Sequence, residues 1–165
     1  MESLVIWYQN SLGSFMPKEV FIFLVSMLPL IELRGGLIIA SLLKVPLVQA
    51  NIICIIGNII PIPFILLLIT KIFNKLKQTR TFKPMVEKLE NKALGKKDQI
   101  EKYEFWGLVL FVGIPLPGTG AWTGALIASL LGIRFRKAFP AIILGILLAT
   151  CIMTIVSYGI LGKVW

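Results

Sequence analysis

Apolar and polar positions divide this chain into four long stretches, two uninterrupted and two broken near the middle. The uninterrupted ones run from Val45 to Thr70 and from Ala138 to Gly162 and carry no charge. Each exceeds the roughly 20 residues that a helix needs to cross a hydrocarbon core. The broken ones precede them. Val20 to Leu43 is interrupted at Glu32-Leu33-Arg34-Gly35-Gly36, and Phe105 to Ile133 is interrupted at Pro115-Leu116-Pro117-Gly118-Thr119-Gly120. Between the halves, residues 71–104 hold Phe73, Leu76, Phe82, Met85, Val86, Leu89, Leu94, Ile100 and Tyr103 at near-helical spacing among Lys and Glu. That spacing predicts an amphipathic helix lying on the inner membrane surface. Leu4, Val5, Ile6, Trp7, Tyr8, Leu12 and Phe15 predict a short interfacial helix at the start.

The two halves repeat each other. Gly36-Leu37-Ile38-Ile39-Ala40-Ser41-Leu42-Leu43 returns 88 residues later as Gly124-Ala125-Leu126-Ile127-Ala128-Ser129-Leu130-Leu131. The same offset pairs Phe23 with Phe111, Leu28-Pro29 with Leu116-Pro117, Ala50 with Ala138 and Gly57 with Gly145. Paired halves in a membrane protein point to a transporter, in which one half rocks against the other around a shared site.

A broken stretch is either a kinked spanning helix or a re-entrant hairpin, and three arguments favour the hairpin. Pro-x-Pro-Gly-x-Gly is very poor helix. The 29 residues from Phe105 to Ile133 would make a single helix of about 43 Å, longer than the core. The third argument is charge. With two hairpins, each half crosses once and the halves are inverted. Both the 71–104 segment, with ten Lys/Arg and five Asp/Glu, and the Arg134, Arg136, Lys137 cluster then lie inside, as the positive-inside tendency requires. The fold expected is thus all-α integral membrane: an inverted repeat, each half a re-entrant helical hairpin plus one transmembrane helix. Repeat 1 spans 18–70, the amphipathic cytoplasmic linker 71–104 and repeat 2 residues 105–162. Non-helical backbone at membrane depth needs protein or water around it, so the hairpin tips are expected to face each other near the midplane.

Composition agrees. Hydrophobic residues make up 57% of the 165 and mean hydropathy is +0.88, well above soluble usage. The net charge of +9 lies beside membrane segments, which is a headgroup signature rather than a nucleic-acid one. No nucleic-acid partner is expected. Cys54 and Cys151 lie mid-segment and read as small hydrophobes. With no histidine, zinc of the usual kind and a His triad are excluded, and no metal or other cofactor is expected. The first ten residues hold one acid and no base, unlike a cleavable signal.

Glu32 and Arg34 are the ionisable groups inside the broken stretches. Burying a charge in a membrane is costly, so each is a functional candidate by default. Glu32 is the well-placed proton carrier; the alternative is that Glu32 and Arg34 pair and only pin the turn. Pro117, Gly118 and Gly120 let backbone N–H groups face inward, and a helix starting near Gly120 points its positive end at the site. Gly35 and Gly36 are expected to do the same opposite. Two such helix starts with Arg34 favour an anion such as a phosphate headgroup. Thr119, Trp122 and Thr123 add hydroxyl and indole contacts, with packing the plainer role for Trp122. Asn51, Asn58 and Gln49 are candidates to line a cavity. Small residues at Gly36, Ala40, Gly124 and Ala128 allow close helix approach, between repeats or between protomers.

Pro29-Leu30-Ile31-Glu32-Leu33-Arg34-Gly35-Gly36 and Pro115-Leu116-Pro117-Gly118-Thr119-Gly120-Ala121-Trp122-Thr123-Gly124 resemble the paired signatures of the small multidrug export protein family, a distant relative of the DedA superfamily. The resemblance covers about residues 15–160. The family name implies drug efflux. The superfamily implies inverted repeats with two re-entrant hairpins, lipid translocation that includes the return of polyprenyl-phosphate carriers, and dependence on the proton motive force. It also implies an acidic residue in the first hairpin, matched by Glu32, and arginines in or after the second, matched by Arg134 or Arg136. Other acidic residues of DedA proteins proper have no counterpart here.

The leading expectation is a transporter, linked to the proton motive force, of an amphipathic substrate such as an anionic lipid. Small-drug or cation export and a nontransporting membrane scaffold are the alternatives. An enzyme is not expected, since no nucleophile–base pair, metal cluster or nucleotide motif is present. The partners expected are a membrane lipid or small amphipathic molecule, protons, and a second copy as homodimer, in the cell membrane.

Overall fold

The computed structural model describes residues 2–11, 13, 15–77, 83–84, 87–88, 91 and 104–160, and no strand occurs among them. The helices are α1 (Glu2–Ser11), α2 (Lys18–Ser26), α3 (Glu32–Leu42), α4 (Leu47–Ile59), α5 (Pro61–Lys77), α6 (Glu104–Gly113), α7 (Ala121–Leu130) and α8 (Phe135–Thr154), which continues as a π-helix, Ile155–Ile160. Proline marks three starts. Pro17 and Pro46 cap α2 and α4, and Pro61 opens α5 directly after α4, whose last residue before it, Ile60, still has α-helical backbone, so the missing N–H interrupts the bonding of one long run.

Two runs are long and apolar enough to cross a membrane: Leu47–Ile69, with mean hydropathy 2.8, and Phe135–Gly159, with 2.5. Val48, Ile52, Ile56, Ile60, Phe64 and Leu68 are exposed along the first at a four-residue interval. Leu144, Leu147, Leu148 and Ile155 are exposed along the second. Such continuous apolar faces suit hydrocarbon, not water.

The chain divides into two compact units. One holds Met1–Ile60 and Ile146–Trp165, the other Pro61–Gly145. In the first, α2, α3 and α4 pack on one another, and α3 also meets α1 and the π-helix. Tyr8 of α1 stacks on Phe21 with ring centroids 4.4 Å apart, and its hydroxyl donates to the Met16 carbonyl. In the second, α7 packs on α5 and α6, and Ile127 is enclosed by Phe111, Leu130, Leu131 and Ile133.

The 88-residue offset persists in backbone geometry. Lys44 (φ 53°) and Gly132 (φ 69°) end α3 and α7 in the left-handed region. The Val45 N–H donates to the Ala40 carbonyl at 2.9 Å, and the Ile133 N–H to the Ala128 carbonyl at 2.9 Å. Both are the same helix stop. A Cβ on Gly57 would come within 2.8 Å of the Phe23 carbonyl oxygen, and one on Gly145 within 2.9 Å of that of Val109. Each glycine thus lets a long helix touch the first helix of its own pair. Ser41 Oγ donates to the Ser157 carbonyl at 2.8 Å, and Ser129 Oγ to that of Leu66 at 3.2 Å. The repeated serine therefore ties the second helix of each pair to the far half of the other repeat's long helix, within one unit each time.

One expectation is corrected. The first stretch breaks at 27–31, not at Glu32-Gly36. Pro29, the repeat mate of Pro117, sits in the turn, and Glu32 through Gly36 are the first residues of α3. Two glycines weaken a helix by about 1 kcal/mol each, but Gly36 lies against Ser26 and Cys54, where a Cβ would collide. Close packing keeps the pair helical. Of residues 78–103, Lys83, Pro84, Glu87, Lys88 and Asn91 are described; they are helical and exposed, with Lys83 Nζ 3.9 Å from Glu87 Oε1. The remainder of the expected amphipathic linker lies outside the described residues.

Candidate functional site

Glu32 is the first residue of α3 and is 5% exposed. Its φ is 51°, in the left-handed region that side chains rarely occupy. Holding a non-glycine residue there costs about 1–3 kcal/mol. Its repeat mate is Gly120, with φ 141°, where the backbone carries no such penalty. The repeat thus supplies an internal comparison: the matched position at the start of the second helix of the pair is a buried glycine at φ 141° in one unit and a buried carboxyl at φ 51° in the other. Glu32 also stands at the positive end of α3, which has no side-chain cap. Arg34, half-buried in the same first turn, interacts electrostatically with it.

Gly35 and Gly36 are buried inside α3. They therefore do not present N–H groups at a helix start, as the sequence led us to expect; Gly36 serves close approach instead. The Glu32 carboxyl stands where that pair was expected to act.

The second unit holds the other cluster. Pro117 and Gly118 are exposed in the turn, Gly118 at φ 76°. Gly120 is buried and caps α7 without a side-chain hydrogen bond. Trp122 and Thr123 are half-buried in the first turn of α7. Thr119 closes the turn. Its Oγ1 lies 2.8 Å from the Leu116 carbonyl and 3.0 Å from that of Ile114, and accepts from the Leu116 N–H at 3.3 Å. The turn residues Leu30 and Leu116 are exposed, Leu30 at 97%.

Arg134 and Arg136 are exposed at the opposite end of α7. Ten helical residues put them about 15 Å along the helix from the Pro117–Thr123 cluster. The structure therefore groups Glu32 with Arg34, and Pro117 with Thr123, and separates both arginines from the latter. An open groove of about 730 Å³ lined by Tyr8, Phe15, Lys18, Glu19 and neighbours lies at the other end of α2 from the turn that leads to Glu32.

Residues 32–152 match the family described as "Putative small multi-drug export protein". The chain belongs to this family. The match begins at Glu32 and takes in both clusters. No curated protein and no solved structure matches the chain. Together with the two apolar runs, membership makes this a membrane protein of an export family.

The sequence did not single out Thr150, Thr154, Ser157 or Tyr158. Thr154 Oγ1 donates to Asn51 Oδ1 at 2.9 Å, and the Tyr158 hydroxyl to the Val45 carbonyl at 2.9 Å. The signal that would have found them is a break in the repeat. At the offset of 88, Thr150, Thr154 and Ser157 stand where the first half has Ile62, Leu66 and Ile69.

Proposed function

We propose that this protein is a secondary transporter that moves an amphipathic substrate across the membrane, with Glu32 as the group that carries the coupling proton. The observation that carries the reading is the Glu32 corner, a carboxyl both buried and held at φ 51° where the matched residue is glycine. Burial and a left-handed backbone are both costly for a carboxyl in a membrane protein, which makes this corner the functional candidate.

The wider architecture belongs to the same proposal. Each helical pair is re-entrant, each long run crosses once, and the two repeats are inverted, which keeps residues 71–104 and Arg134, Arg136 and Lys137 inside. An anionic lipid such as a polyprenyl phosphate is the favoured substrate. The uncapped start of α7 at Gly120 favours negative charge, and the cytoplasmic rim is basic. The protein acts as a transporter and not as an enzyme, with no metal or cofactor.

A second reading, export of a small organic cation, is favoured by the buried acid at Glu32 and by the family's description. The two part in purified proteoliposomes loaded either with a fluorescent polyprenyl-phosphate analogue or with a lipophilic cationic dye. Movement of the lipid above the rate of empty vesicles, driven by a pH gradient, supports the lipid reading. Movement of the dye alone replaces it with the second. A folded protein that moves neither contradicts both.

A further inference from the structure

The first unit contains polar groups that its architecture does not need. Asn58 is 3% exposed and its Oδ1 has no hydrogen-bond partner; Ser157 is 0% exposed and its Oγ has none. Orphaned buried oxygens are rare, and each calls for a reason.

These groups form a file. Ser157 marks one end, where the π-helix meets Ser41, and Tyr158 reaches Val45 beside it. One turn back along α8, Thr154 bonds Asn51 of α4. Another turn back, buried Thr150 donates to the Ile146 carbonyl at 2.7 Å. Since Val45 pairs with Tyr158 and Asn51 with Thr154, α4 advances as the other segment retreats. Asn58 therefore lies two turns beyond Asn51, on the same face and past the level of Thr150, which is one turn back from Thr154.

The file ends at the level of Glu32. α3 and α4 join through residues 43–46, and Gly36 meets Cys54, where a Cβ would lie 3.0 Å from its Sγ. One turn beyond the Gly36–Cys54 contact, away from the connector, α3 reaches Glu32 and α4 reaches Asn58. The steps from Ser157 to Thr154 and on to Thr150 rise about 4.5–6 Å, a gap that one water bridges with two ordinary hydrogen bonds, and the seven residues from Asn51 to Asn58 rise about 10 Å, which takes a short chain of waters.

The repeat is again the control. In the other half the positions matched to Asn51, Asn58, Thr150, Thr154 and Ser157 are Phe139, Ile146, Ile62, Leu66 and Ile69. All five are apolar, and the residue matched to Glu32 is Gly120.

We infer that Ser157, Thr154, Asn51, Thr150 and Asn58 line a water-filled path from the Lys44 connector to Glu32, with water held by the orphaned oxygens of Ser157 and Asn58. The inference rests on the proposed function only for its purpose, the delivery of protons; the path itself is testable without any substrate.

The test uses the full chain in intact cells, with Cys54→Ala and Cys151→Ala as background. Ser157→Cys, Thr154→Cys and Asn58→Cys are compared with Ile62→Cys, which is fully buried in the apolar counterpart. Brief exposure to silver ion is followed by unfolding and maleimide labelling. Silver is expected to cut later labelling of the three path cysteines about tenfold relative to Ile62→Cys, since thiol reaction follows access. Ser157→Cys is nearly isosteric and guards against misfolding. Equal labelling of Ser157→Cys and Ile62→Cys, with both proteins monodisperse, overturns the path even if transport is observed. Protection without transport upholds the path and removes the transport reading instead.

Discussion

Glu32 carries two penalties at once, burial and a left-handed backbone, and substitutions separate them. Glu32→Gly removes both, because glycine adopts φ 51° freely. It is expected to melt at or above the wild-type temperature in detergent, with about 1 kcal/mol of strain relieved. Glu32→Gln keeps the strain and removes the charge, and is expected to melt no higher than Glu32→Gly. A Glu32→Gly protein that melts well below wild type would show the carboxyl to be a structural pin with Arg34. The sequence marked Glu32 by its charge in an apolar stretch, but not its conformation, because that depends on where the turn falls. Asn51 and Asn58 were visible as polar residues in an apolar run. Their chemistry was not, since it depends on Thr154 more than a hundred residues away.

The helices themselves were largely legible, because uncharged runs of membrane length and the repeat leave little choice of element. The error was local. A Gly-Gly pair reads as a breaker, yet Gly36 is helical because its missing side chain admits Ser26 and Cys54, a contact no local pattern reveals. Proline, not glycine, fixed the break. The repeat also predicts which helix stop can be improved. Lys44 and Gly132 occupy the same left-handed position after α3 and α7. Lys44→Gly is expected to raise stability, and Gly132→Ala to lower it, by about 1 kcal/mol each, read as opposite shifts in melting temperature. Shifts of the same sign would contradict the equivalence of the two stops.

For the whole molecule, membership of the export family and two apolar runs fit a membrane protein, and the proposed inverted arrangement makes a specific topological prediction. Ser3→Cys should react with an impermeant maleimide on intact cells. Lys88→Cys and Arg136→Cys should react only after permeabilisation. Labelling of Arg136→Cys in intact cells would mean that both broken stretches cross fully. The division into two units, each taking part of both long runs, was not legible in the sequence, because it reflects packing between helices far apart in the chain, such as α5 on α7, and not the order of the repeats. The decisive measurement is gradient-driven flux of the fluorescent lipid analogue in proteoliposomes for wild type, Glu32→Gln and Glu32→Gly, each verified as folded and inserted. Wild type should respond to the pH gradient and both variants should not, although Glu32→Gly is at least as stable. Gradient-driven flux through Glu32→Gly at the wild-type rate would contradict a coupling role for this carboxyl.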